Sequence, residues 1–268
     1  MEMKNGFKFK DKYNVYDLVE ILRILRSEGG CPWDIKQTHE SIKKNLIEET
    51  YETIEAINKN DPAMLREELG DVLMQVVFHA QIEAEKGVFN IDDVADENCK
   101  KLIERHPHVF GEVNVNSVDD VLTNWDAIKR KTKGQKSTSE AIDSVPRELP
   151  ALMRATKIQS KAAKAGFDWD DVSGALDKLS EEIAELKEAI TDGEREHINE
   201  ELGDVIFSAV NVSRFVNVDA EESLTDATDK FVGRFKTVEK LARENGIDMT
   251  ASDMETLDRL WDEAKTTK

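Results

Sequence analysis

Positive charge, aromatic side chains and long apolar runs are all scarce in this chain, and each scarcity excludes something. Lys and Arg number 37 against 56 Asp and Glu, a formal net charge of -19. The summed field therefore repels phosphate backbones and anionic lipid, so nucleic acid and membrane surfaces are not expected partners. No apolar stretch approaches the ~18 residues that a membrane-spanning helix needs. Two cysteines, Cys31 and Cys99, make no disulfide framework, and Met1 to Tyr13 is polar and lysine-rich without an apolar signal region, which points to the cytoplasm. Aromatics make up 6% of the residues and charged side chains 35%, a mixture that favours helix over β-branched strand runs. With 39% hydrophobic content over 268 residues, one large or two ordinary domains can each bury a core.

What is present is helical periodicity with clear breaks. From Tyr16 the apolar residues Leu18, Ile21, Leu22 and Leu25 recur at 3.6-residue spacing up to Gly29-Gly30, ahead of a loop at Cys31-Pro32-Trp33-Asp34. Further helices are expected over Thr38 to Asn58, Pro62 to Lys86, Ile91 to Arg105 and Val118 to Lys131. The stretch from Gly134 to Pro150 has no helical period and reads as a linker. Helices resume over Ala151 to Ala165, Val172 to Thr191, Glu194 to Val216, Ala220 to Asn245 and Ser252 to Lys265. The expected architecture is all-α, a tandem repeat of two small helical-bundle modules at 1–133 and 151–268 joined by 134–150.

The repeat is explicit in the acids. Glu48-Glu49-x-x-Glu52 and Glu67-Glu68-Leu69-Gly70-Asp71-Val72 recur as Glu181-Glu182-x-x-Glu185 and Glu200-Glu201-Leu202-Gly203-Asp204-Val205, displaced by 133 residues throughout. Lys101-x-x-x-Arg105 recurs as Lys230-x-x-x-Arg234, and Trp125-Asp126-x-x-Lys129 as Trp261-Asp262-x-x-Lys265. Cys31-Pro32-Trp33-Asp34 stands where the second half has Gly166-Phe167-Asp168-Trp169.

At ~100° per residue, Glu52 lies ~40° from Glu48 and ~60° from Glu49, and Glu67, Glu68 and Asp71 share a stripe on the next helix. A short break between the helices favours an antiparallel hairpin, so six acids are expected to converge in each module. Crowded carboxylates either hold protons or bind cations, and hard oxygen donors without His or Cys suit Mg²⁺, or Mn²⁺ in its place. Gly70 and Gly203 weaken their helices by ~1 kcal/mol relative to alanine, which implies close packing or ligand approach. His106 and His108, split by a proline and without cysteine partners, read as loop residues and not as metal ligands.

These motifs resemble the signature of the MazG nucleotide pyrophosphohydrolases, Glu-Glu-x-x-Glu followed after a spacer by Glu-x-x-Asp. The resemblance extends through Gln37-Thr38-His39-Glu40-Ser41, Arg105-His106-Pro107-His108-Val109-Phe110-Gly111 and Gly166-Phe167-Asp168-Trp169, nearly the whole chain. It implies a Mg²⁺-dependent homodimer that cleaves nucleoside triphosphates, ATP among them, between the α and β phosphates. Carried over, the metal ligands are Glu182, Glu185, Glu201 and Asp204, with Glu49, Glu52, Glu68 and Asp71 as first-module equivalents. Lys178, Lys230, Arg234 and Trp261 match nucleotide contacts.

The residue types agree with those roles. Lys178 lies one turn before Glu182, and Lys230 and Arg234 are one turn apart, so each offers cationic donors to a polyphosphate. Trp261 is suited to stack on a base and Lys265 to reach phosphate from the same helix, with Lys101, Arg105, Trp125 and Lys129 as counterparts. Glu181, and Glu48 in the first module, are the expected proton acceptors for the attacking water. Asn45 stands where Lys178 stands, so the second module is the expected main catalyst.

Two rival readings are weaker. A di-iron carboxylate bundle needs Glu-x-x-His on two helices, and these positions hold Glu or Asp. A non-enzymatic helical interaction or scaffold protein would leave the acid stripes solvated and free of metal.

Overall fold

The computed structural model describes all residues except 1–6, 116, 119, 122–123, 126–127, 129–131, 133, 135–136 and 267–268. Among the described residues there is helix and no strand, and no helix is long and apolar enough to cross a membrane. Contacts divide the chain into Met1–Lys129 and Arg130–Lys268.

The first unit contains α1 (Val15–Arg26), α2 (Pro32–Lys36), α3 (His39–Asn58), α4 (Pro62–Glu85), α5 (Ile91–Arg105) and α6 (Pro107–Phe110). Their starts are written in the sequence. Asn14 and Asp17 form a capping box on α1, Thr38 and Ser41 one on α3, and the Asp61 carboxylate accepts from two backbone amides at the start of α4, where Pro62 needs no amide partner. Helices α3 and α4 pack on each other as a hairpin, and α1 packs across α4. The core is Leu22, Ile42, Val77, Phe78 and Ile82, with Leu18, Leu25, Leu73 and Ile91 against it. Arg26, nearly buried, makes a two-pronged ion pair with Glu85 at 2.8 Å and donates to the Gln37 carbonyl at 3.1 Å, which fixes the segment entering α3 onto α4. His39 and His79 stack with ring centroids 5.0 Å apart, and His39 Nε2 sits 2.6 Å from the Glu83 carboxylate.

The second unit contains α7 (Thr138–Asp143), α8 (Ala151–Ala163), α9 (Val172–Asp192), α10 (Arg195–Phe215), α11 (Ala220–Glu244) and α12 (Met254–Thr266). Its main hairpin is α9 with α10, α8 lies on α10, and α11 pairs with α12 over a core of Val238, Ala242, Leu260 and Ala264. The two hairpins turn alike. Gly193 closes α9 in the left-handed region at φ 78, and Asn60, 133 residues earlier, takes φ 51 between α3 and α4. Glycine and asparagine are the residues that adopt this conformation most cheaply.

Two sequence expectations about the elements change. The segment read as a 134–150 linker contains α7, which packs on α8 and buries Ala141, with Val145 buried just beyond it, so it belongs to the second unit. Cys31-Pro32-Trp33-Asp34 is mostly the short helix α2 and not a loop. Both helices are too short to show a period. The helix expected over 118–131 falls largely on residues outside those described, as does Lys129.

Candidate active site

Each hairpin brings acids from its two helices together. Glu49 of α3 meets Glu68 and Asp71 of α4, and Glu182 of α9 meets Glu201 and Asp204 of α10, with carboxylate oxygens of each trio within 4.8 Å of one another. The expected convergence of six acids narrows to these three. Glu48 and Glu67, and likewise Glu181 and Glu200, are solvent-exposed, because consecutive residues on a helix diverge by ~100°. Glu52 and Glu185 stand beside their trios without joining them. Glu52 hydrogen-bonds Glu49, and Glu185 is near enough to Glu182 and Glu201 for their charges to act on it.

Crowding is visible in proton affinity. The Glu49 carboxyl is pushed above the ordinary range by partial burial and then by Asp71 and Glu52. Partial burial followed by Glu52 does the same to Glu68. Glu185 is raised by loss of solvent and by Glu182 and Glu201, although Lys178 pulls the other way. These are carboxylates that want a counter-charge.

The two sites differ in what supplies it. Lys178 places its ammonium 2.8 Å from Glu182 and 2.9 Å from Glu181, which holds its proton affinity above the ordinary lysine value, Glu182 contributing most. Glu182 is 6% exposed, so its charge is largely withdrawn from water. In the first unit Asn45 occupies the lysine position, and nearby Lys43 is engaged by Glu40 at 2.6 Å. Among the described residues Glu49 has no cationic partner.

The basic and aromatic residues gather in a separate group. The Arg234 guanidinium lies 5.9 Å from the Trp261 ring centre, Phe231 packs on the same ring at 5.2 Å, and exposed Lys230 is one turn from Arg234. Lys265 is held by Asp262 at 2.8 Å. The first unit repeats the pairing, with Arg105 5.2 Å from the Trp125 ring centre and Lys101 exposed one turn away.

Gly70 and Gly203 do not serve close packing within the chain. A methyl group added at either would meet nothing within 4 Å. Sequence reasoning also missed His197, whose Nε2 lies 3.2 Å from Glu201. Its position four residues before Glu201, on the same stripe, was the available signal. His106 ends α5 and donates from Nδ1 to the Leu102 carbonyl at 2.6 Å, a structural role.

Compared with known proteins, residues 37–110 and 171–239 each match the MazG nucleotide pyrophosphohydrolase domain. The chain is 50% identical over 249 residues to the nucleoside triphosphate pyrophosphohydrolase/pyrophosphatase MazG of Thermotoga maritima, covering 93% of this chain and 94% of that protein. It is 42% identical over 253 residues to the nucleoside triphosphate pyrophosphohydrolase of Escherichia coli K12, covering 92% and 95%. It is also 49% identical over 251 residues to the protein YabN of Bacillus subtilis, of which the alignment covers 51%. Each match takes in one acid-bearing hairpin and together they span more than half of the chain, which therefore belongs to the MazG nucleotide pyrophosphohydrolase family.

Proposed function

We propose that the chain hydrolyses ribo- and deoxyribonucleoside triphosphates between the α and β phosphates, releasing the monophosphate and pyrophosphate, and that the second unit is the main catalyst. The observation that carries this reading is the all-oxygen trio Glu182, Glu201 and Asp204 on facing helices, with Lys178 already bound to its buried member. A solvated scaffold face does not need a glutamate 6% exposed beside two other acids.

The donor set fits Mg²⁺, with Mn²⁺ as substitute, since every candidate ligand is a carboxylate. Glu182, Glu201 and Asp204 would hold it with Glu185 alongside, and Glu49, Glu68, Asp71 and Glu52 are the first-unit equivalents. When bound, such a cation supplies neutralisation of the polyphosphate charge and polarisation of the anhydride. The chain's own groups do the rest. Lys178, Lys230 and Arg234 donate to phosphate oxygens, with Lys265, Lys101, Arg105 and Lys129 as auxiliary or first-unit cations. Trp261 and Trp125 carry the arginines on their rings and so orient them. Glu181, turned out of the trio and relieved of ligand duty, suits the proton acceptor, with Glu48 as its counterpart. The test is product identity. Purified protein with Mg²⁺ and ATP should yield AMP and pyrophosphate in equal amounts by ion-exchange chromatography, and ADP with orthophosphate would overturn the cleavage position.

The protein acts as a homodimer in this reading. Helix α9 leaves Leu176, Ile183 and Ile190 exposed at seven-residue spacing, and α10 leaves Leu202 and Ile206 exposed, an apolar face that a second copy covers. Light scattering at micromolar concentration should give about twice the 30.4 kDa chain mass, and a fully active particle of the single mass counts against the dimer. Its place is the cytoplasm, a setting in which two unpaired cysteines such as Cys31 and Cys99 stay reduced.

A further inference from the structure

The first unit holds a buried polar group that neither its core nor the chemistry above uses. Gln75, on α4, is 5% exposed, and its Oε1 is an acceptor shut off from water with no hydrogen-bond partner. An unpaired buried acceptor is destabilising, so a fold that keeps one has a water, an ion or a ligand to answer it.

Its position says which. Gln75 stands one turn past Asp71, ~6 Å further along α4 and ~40° around it, so Glu68, Asp71 and Gln75 follow one another on one stripe. Helical side chains lean towards the N-terminus of their own helix, so the amide leans over the turn that carries Asp71. Glu49, on antiparallel α3, leans the opposite way along the hairpin, towards the turn of Gln75. The amide oxygen is thus aimed at the trio Glu49, Glu68 and Asp71, whose carboxylate oxygens lie within 4.8 Å of one another.

A carboxylate cannot satisfy an amide oxygen, since both are electron-pair donors. Among the described residues Glu49 has no cationic partner, and nearby Lys43 is engaged by Glu40 at 2.6 Å. A hard divalent cation answers both needs at once. It neutralises the three acids and takes the lone pair of the amide oxygen, directly or through a water of its own shell. Carboxylates with a side-chain amide oxygen are a set that such cations accept.

The second unit is built differently at the same two places. Under the 133-residue repeat Gln75 corresponds to Ser208, whose side chain is buried but too short to reach a full turn back, and Asn45 corresponds to Lys178. A cation entering the second trio competes with the Lys178 ammonium at 2.8 Å from Glu182. In the first trio it meets no such competitor and finds one oxygen more.

We propose that Glu49, Glu68, Asp71 and Gln75 form a resident divalent-cation site, one that fills in the absence of nucleotide and ties α3 to α4. The inference rests on the metal reading of the acid trios and adds a fourth residue and a separate role for the first unit. Its cation stays bound between turnovers, whereas that of the second unit is taken up with substrate.

The test is calorimetric titration of the full, metal-stripped chain with Mn²⁺ at about pH 7.5 and without nucleotide, alongside melting temperatures. Wild type should show one class of site tighter than the other by about tenfold or more. Glu49→Gln should remove the tighter class and Glu182→Gln should keep it. Gln75→Leu, which removes the oxygen at similar volume, should weaken that class by about tenfold while raising the melting temperature of the metal-free protein, because the orphaned acceptor is gone. A glutamine that merely packs would do the opposite, lowering the metal-free melting temperature and leaving Mn²⁺ affinity alone. Gln75→Glu keeps an oxygen in place and should retain the tighter class. Circular dichroism checks folding, and Gln75→Glu decides if Gln75→Leu does not fold, loss of the tighter class in it counting against the site. The proposal is overturned if folded Gln75→Leu binds Mn²⁺ as wild type does, if no site fills without nucleotide, or if the tighter class follows Glu182 and not Glu49. A tight site in a protein that releases no pyrophosphate would uphold this inference and sink the pyrophosphohydrolase reading, and ATP cleavage by a protein with no nucleotide-independent site would do the reverse.

Discussion

Stripping divalent cation with EDTA is expected to lower turnover by ~10³-fold or more, restored by excess Mg²⁺ or Mn²⁺. Each acid trio concentrates negative charge where the substrate brings more, so without a cation the protein repels the ligand it should bind. The same crowding gives the effect a pH signature. Glu49, Glu68 and Glu185 hold protons more tightly than ordinary carboxyls. A carboxyl with raised folded-state affinity for protons stabilises the fold below its unfolded range and loses that contribution as pH rises through the folded value. The metal-free protein is thus least supported near and above neutrality, where these groups ionise against one another. Added Mg²⁺ should raise the melting temperature most near pH 7 to 8, and the gain should shrink towards about pH 5, where protons compete for the same oxygens. Fluorimetric melts across that range measure this, and a gain independent of pH would remove the trios as the metal's location.

The second large effect separates the two units. Glu182→Gln keeps side-chain volume and removes a buried charge from the trio, and turnover should fall by ~10²-fold or more. Glu49→Gln makes the same change where no cation partner is present, and should cost less than ~10-fold, a difference of at least ~1.4 kcal/mol in barrier. Steady-state rates with pyrophosphate as readout give the comparison, and circular dichroism confirms that both variants fold. The order is reversed if Glu49→Gln abolishes activity and Glu182→Gln spares it, although the reaction assignment would survive that result.

The long helices were legible because each carries its period and its cap. Asn14 with Asp17 and Thr38 with Ser41 mark starts, and Asp61-Pro62 marks another, so bounds for the helices from α3 to α5 fall within a residue of expectation. Helix α7 was missed through its length, although Ser137 capping the Glu140 amide leaves a Ser-x-x-Glu trace. The acid sites were half legible. Spacing chose the right helices, but the acids taken as one stripe span an arc of ~100°, too wide for all to face the partner helix, and Glu48 and Glu181 are left exposed beside the trios.

The lysine bridging Glu181 and Glu182 offsets part of the resting site's negative charge, and this bears on how ligands enter. A cation that takes Glu182 would compete with the Lys178 ammonium, which keeps Glu181 at 2.9 Å and is then free to turn from Glu182 towards an incoming phosphate. In the proposed reading metal and nucleotide would each make room for the other, and by reciprocity each would then tighten the other's binding by the same factor. The first unit, with Asn45 in the lysine's place, has no such exchange to offer and should bind metal and nucleotide as independent events.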